Sequence, residues 1–77
     1  MNTNKLRLIL SHIGLFVDEV KPGVFKGYSY NIKQWPTFRI WVNKSGRVTI
    51  RTRNVQKSFE IYNKTQLERA LKGFEII

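Results

Sequence analysis

Thr37-Phe38-Arg39-Ile40-Trp41-Val42-Asn43, then Lys44-Ser45-Gly46, then Arg47-Val48-Thr49-Ile50-Arg51-Thr52-Arg53: residues 37–53 read as a β-hairpin. Each arm alternates with period two, the pattern of a strand with one buried and one wet face. Phe38, Ile40 and Val42 share one face of the first arm, and Val48, Ile50 and Thr52 one face of the second. The opposite face carries Arg39, Trp41, Arg47, Thr49, Arg51 and Arg53. The register follows from the turn. A two-residue loop, Lys44-Ser45, sets Val42 opposite Arg47 and scrambles the faces, because a slip of one residue turns every side chain over. A three-residue loop with Gly46 left-handed pairs Asn43 with Arg47, Val42 with Val48, Ile40 with Ile50 and Phe38 with Thr52. On the other face it sets Trp41 against Thr49, Arg39 against Arg51 and Thr37 against Arg53. The Arg39–Arg51 pair is a like-charge contact, unfavourable in a sheet. Either two solvated guanidiniums splay apart at little cost, or the face meets an anion.

Charge bears on that choice. The chain has 77 residues, 14 Lys/Arg against five Asp/Glu, a net charge of +9 and no cysteine. Between Val20 and Phe59 stand nine basic residues, Lys21, Lys26, Lys33, Arg39, Lys44, Arg47, Arg51, Arg53 and Lys57, and no acid. The remainder balances five basic residues against five acidic ones, so the whole excess falls on the strand region. A one-signed patch implies an anionic partner: nucleic acid, an acidic protein or a membrane surface. The lack of cysteine excludes disulfides and thiolate metal sites. The apolar run Leu8-Ile9-Leu10 is too short for a signal peptide or a membrane span, which predicts a soluble, cytoplasmic protein with no membrane partner.

The flanks read as helices. Leu6, Ile9, Leu10 and Ile13 make an apolar stripe that predicts a helix near residues 4–13, with Thr3 as N-cap and Gly14 as its stop. Leu15 to Val20 fits a strand or an extended link, and Lys21-Pro22-Gly23-Val24 a type II turn. Val24 to Ile32 predicts a strand with Val24, Tyr28, Tyr30 and Ile32 on one face, Lys26 intruding and Gly27 at a bulge. Pro36 biases Trp35 toward an extended conformation. Asn54 allows a further reversal, and Lys57 to Tyr62 alternates with Phe59 and Ile61 inward. Thr65-Gln66-Leu67-Glu68 fits a capping box, with Leu67, Ala70, Leu71 and Phe74 as the stripe, Gly73 as the stop and Phe74 to Ile77 packing back on the core.

The expectation is one α+β domain, residues 1–77, of helix, antiparallel meander of three to five strands, and helix. Both helices cover one sheet face, leaving Arg39, Trp41, Arg47, Arg51 and Arg53 open on the other. Arginine forks match phosphate and Trp41 offers a stacking face, unless it lies flat under the arginine stems. Lys33, Lys44 and Lys57 extend the basic surface to loops. Trp35, Tyr28 and Tyr30 read as core or core-rim residues. His12 stands alone on a helix flank, Asp18-Glu19 reads as a turn or edge feature, and Gly23, Gly27 and Gly46 make no phosphate loop. These patterns predict no enzyme, no cofactor and no metal site.

The order helix, Gly14-Leu15-Phe16, meander, helix is similar to the α-β-β-β-α arrangement of double-stranded-RNA-binding domains, and HicA-type toxins share a related one. The diagnostic residues differ: Lys64-Thr65-Gln66-Leu67-Glu68 stands where the former carry a Lys-rich motif, and Lys26 to Tyr30 lacks the histidine of the latter. Small size and high basicity also resemble phage or mobile-element accessory proteins. The expected function is a non-catalytic module that binds DNA or RNA through phosphates. The alternative is an inhibitor-like module docking an acidic protein, as a monomer or as a dimer paired through the edge strand at Val55 to Tyr62.

Overall fold

A computed structural model describes residues 1–28 and 37–77. The expectations for Tyr30, Ile32, Lys33, Trp35 and Pro36 lie outside the described residues. The elements run α1 (Thr3–Ile13), β1 (Val17–Lys21), β2 (Val24–Tyr28), β3 (Thr37–Val42), β4 (Val48–Thr52), β5 (Val55–Phe59) and α2 (Lys64–Gly73). The five strands form one antiparallel sheet in chain order, so every neighbour in the sheet is also the neighbour in sequence. The meander has five strands where the double-stranded-RNA-binding arrangement has three.

The β3–β4 hairpin takes the register the alternation demands: Val42 opposite Val48, Ile40 opposite Ile50, Trp41 opposite Thr49 and Arg39 opposite Arg51. The Asn43 N–H donates to the Arg47 carbonyl at 2.8 Å, and Gly46 turns the chain at φ +83°. The Asn43 carboxamide oxygen accepts from the N–H groups of Ser45 and Arg47 at 3.0 Å each, which satisfies the loop's donors locally. Arg53 does not continue the pairing to Thr37. It is the first residue of the β4–β5 turn, with φ +49°, and Thr52 pairs with Val55.

Side chains of one sheet face merge with both helices. Phe25, Phe38, Ile40, Val48 and Ile50 are buried together with Leu6, Ile9 and Leu10 of α1 and Leu67 and Leu71 of α2. Phe74 and Ile76 close the core from the C-terminal tail. Phe59 and Ile61 both join this core, although β5 begins at Val55 and ends at Phe59.

β2 departs from expectation. Phe25 and Gly27 face the core, and Val24, Lys26 and Tyr28 face the other side, so Lys26 is no intruder. Gly27 marks no bulge, because β2 pairs with β3 without interruption, Gly27 directly opposite Phe38. A Cβ at 27 would overlap the Phe38 ring, so the glycine is the space into which the aromatic packs. The bulge lies instead in β1, where Val20 is the extra residue between Glu19, opposite Phe25, and Lys21, opposite Val24.

The caps also shift. Asn2, not Thr3, caps α1, its side chain accepting from the Lys5 N–H at 2.8 Å, and Gly14 ends the helix in the left-handed region as expected. Asn63 caps α2 by accepting from the Gln66 N–H at 2.9 Å, while the Gln66 side chain accepts from the Tyr62 N–H at 2.7 Å. The reciprocal cap therefore starts two residues before Thr65, because Asn competes well with Thr at that position. Gly73 is still helical. The left-handed residue is Glu75 at φ +61°, and Ile76 N–H bonds back to the Leu71 carbonyl at 2.9 Å, which swings Ile76 into the core.

One charged contact ties α1 to the β1 edge. Arg7 donates from Nε and Nη2 to the two Glu19 oxygens at 2.9 Å each, and Gly23 N–H donates to Glu19 Oε2 at 2.9 Å. The Arg7 guanidinium also lies 5.6 Å above the Phe25 ring. The hydrogen bonds from Arg7 and then Gly23 hold the Glu19 carboxyl down at about 2, against an ordinary value of 4.5. A depressed folded-state value means that the contact's stabilisation is complete above the ordinary value and lost as pH falls toward the folded one. Thermal melts from pH 6 to about 2 should show the wild type losing its advantage over Glu19→Gln between about 4.5 and about 2. A difference that stays constant across that range would show that the pair contributes nothing pH-linked.

Candidate nucleic-acid interface

Among the described residues, no helix covers the second face of the sheet, and its side chains fall into cross-strand rows. The middle row runs Asp18, Lys26, Arg39, Arg51, Gln56 from β1 to β5. Three cations thus stand side by side on the three central strands, with the only acid of the row on the margin. Directly opposed residues sit roughly 5 Å apart. Two unit charges at that distance repel by about 1 kcal/mol in water, so an exposed row is tolerable and an anion laid along it is favoured. Arg39 and Arg51 are exposed and Lys26 is half-buried. Neither arginine has an acidic partner among the described residues.

Arg39 and Arg51 also line, with Arg53, Thr37 and Phe38, a shallow concavity of about 340 Å³. Arg53 reaches it from the β4–β5 turn. Arg53 has a positive φ there, and the concavity is bordered by arginines from two strands and a turn.

On one side of the charged row lies the row Val24, Trp41, Thr49, Ser58. Trp41 is half-buried, and Thr49, only 2% exposed, bonds Ser58 hydroxyl to hydroxyl at 2.8 Å. Trp41 therefore keeps a surface to solvent on the predicted face. On the other side, Tyr28 N–H donates to the Phe16 carbonyl at 3.0 Å, extending the β1–β2 ladder by one step. The Phe16 and Tyr28 rings meet edge to face, centroids 6.3 Å apart. Phe16 is 74% exposed and Tyr28 44%.

The remaining expected residues divide. Lys44 is exposed at the tip of the β3–β4 turn. Arg47 sits at the end of the sheet with Nη2 3.5 Å from Glu60 Oε1, both side chains more than half exposed. A surface pair of that length binds weakly and leaves Arg47 available to another anion. Lys57 is not in a loop and not on this face. It stands opposite Ile50 on the helix-covered side and borders a groove with Phe59, Phe74 and Glu75, next to the C-terminal end of α2. Lys33 lies outside the described residues. His12 is exposed in the last turn of α1. Tyr28, read as a core or core-rim residue, is exposed, and Lys26, read as an intruder on an apolar face, stands on the open one. Gly27 contributes no apolar mark to the buried parity of β2, which hid the opposite parity that carries Lys26.

No family model matches the chain, and neither a curated protein nor a solved structure is found to be similar to it.

Proposed function

We propose that this protein is a non-catalytic nucleic-acid-binding module that takes the phosphate backbone on its open sheet face. The observation that carries this reading is the in-register row Lys26, Arg39, Arg51 on the three central strands, without an interleaved acid. A protein selected for stability alone would gain by alternating signs there, since opposite charges across strands attract and like charges repel. Guanidinium forks match phosphate oxygens in pairs, and each neutralised phosphate releases condensed counterions. Arg53 and Lys44 add charge at opposite ends of the strands, one on either side of the row, and Trp41 lies beside it.

The test is fluorescence polarisation with labelled single-stranded and duplex oligonucleotides across a salt series. Three row cations predict a slope of log K against log salt of about −2 for single strands and nearly −3 for duplex. A flat salt dependence would overturn the reading.

A further inference from the structure

The geometry points to single-stranded rather than duplex nucleic acid as the ligand of this face, with bases stacked on Phe16 and Tyr28 at one margin and on Trp41 at the other. This rests on the phosphate-binding reading and deepens it. The first observation is the exposure of the rings. Phe16 is an unsubstituted phenyl ring, 74% exposed, set on an edge of the sheet beside Tyr28 at 44%. Their edge-to-face contact satisfies one side of each ring and leaves the remaining ring surface in water. Apolar surface of this kind on the solvent side of a charged row is what a splayed base covers.

The second observation is shape. Five strands at about 4.8 Å spacing make a face roughly 19 Å across, wider than the major groove of about 12 Å. The three described hairpin loops, Pro22-Gly23, Lys44-Ser45-Gly46 and Arg53-Asn54, are tight turns that leave the face broad and unbroken at those ends. In a duplex the base faces are already stacked on one another and offer nothing to the rings; in a single strand they are free. The rows place the cations between the two aromatic margins, so a strand crossing the face meets ring, charge, ring.

Polarisation binding would use a labelled oligonucleotide of about 15 nucleotides as single-stranded DNA, as single-stranded RNA and as the DNA duplex of the same sequence. The wild type should prefer at least one single-stranded form. The Phe16→Leu/Tyr28→Leu double variant keeps apolar bulk and removes the rings. It should weaken single-strand binding about tenfold with the salt slope unchanged, whereas Phe16→Tyr should bind as the wild type does. Urea midpoints check that each variant is folded, and Trp41→Leu provides the second margin. Tighter binding of the duplex, or a double variant within about twofold of wild type on single strands, would overturn the inference. If the oligonucleotides bind with a steep salt slope but no dependence on the rings, only this inference falls. If none binds, the phosphate reading falls with it.

Discussion

Gly27→Val is expected to unfold most of the protein, although valine is a far better strand former than glycine. Intrinsic preference favours the valine by up to about 1 kcal/mol. The packing opposes it. Gly27 is buried opposite Phe38, itself 1% exposed, and a Cβ would enter the space the ring occupies. Neither neighbour can yield easily. Phe38 is fully buried in the core that the sheet shares with the helices, and the β2 backbone is fixed by unbroken pairing with β3. Overpacking a tight core costs typically about 1–3 kcal/mol, and more where backbone must move. A domain of this size has roughly 3–5 kcal/mol in total, so the loss takes most of it.

Urea denaturation of Gly27→Ala, Phe38→Leu and the double variant gives the decisive comparison. The double variant should lose clearly less than the sum of the two single losses, because leucine in place of the ring vacates the space the new methyl needs. A stabilising Gly27→Val would mean that the Phe38 ring does not lie over Gly27. The substitution should also disturb the open face, since Lys26 and Tyr28 flank Gly27 on the same strand and move with it.

Arg39→Glu is expected to make the protein more stable and, on the proposed reading, to weaken its nucleic-acid binding. Arg39 stands between Lys26 and Arg51 in the row. Reversing its sign turns two repulsive cross-strand contacts into two attractive ones, worth together about 0.5–1 kcal/mol on an exposed face. The same change would delete one of the proposed phosphate contacts and add a repulsion, which should lower nucleic-acid affinity roughly tenfold or more near physiological salt. Thermal melts and polarisation binding on the same preparations test both halves. High salt should raise the wild type's melting temperature more than the variant's, because only the wild type has a repulsive row to screen. Unchanged affinity in a more stable variant would remove the row from the binding site. A destabilised variant would show instead that the Arg39 stem packs on its neighbours.

The two sites probe different layers of one sheet. Gly27 and Phe38 set the distance and register of β2 against β3 on the covered side. That register brings Lys26 beside Arg39 on the open side. The cation row is thus a consequence of core packing as much as of surface composition.

How much of this is legible in the sequence depends on whether the deciding contact is local. The Arg39–Arg51 register is readable, because alternation in both arms and the length of the Lys44-Ser45-Gly46 turn admit one pairing that keeps Phe38, Ile40, Val48 and Ile50 together. The apolar stripes of Leu6, Ile9 and Leu10 and of Leu67 and Leu71 are readable for the same reason, and so is their side of the sheet. The N-caps fall one and two residues earlier than expected. Asn2 and Thr3, like Asn63 and Thr65, are rival caps whose choice turns on how the preceding loop arrives.

By itself, then, the sequence determined an α+β chain with a helix at each end, a central hairpin of known register and a charge excess confined to the stretch from Val20 to Phe59. Periodicity, turn length and composition carry those facts within a few residues of each other. Tertiary structure alone decided that β2 lies against β3 with Lys26 in line with Arg39 and Arg51, and that Phe16 comes beside Tyr28. It also turned Lys57 to the helix side and made Arg53 a corner. The physical reason is that a strand's period says which residues share a face but not which neighbour that face adjoins. The neighbour is chosen by packing, here by the fit of the Phe38 ring over the empty side of Gly27.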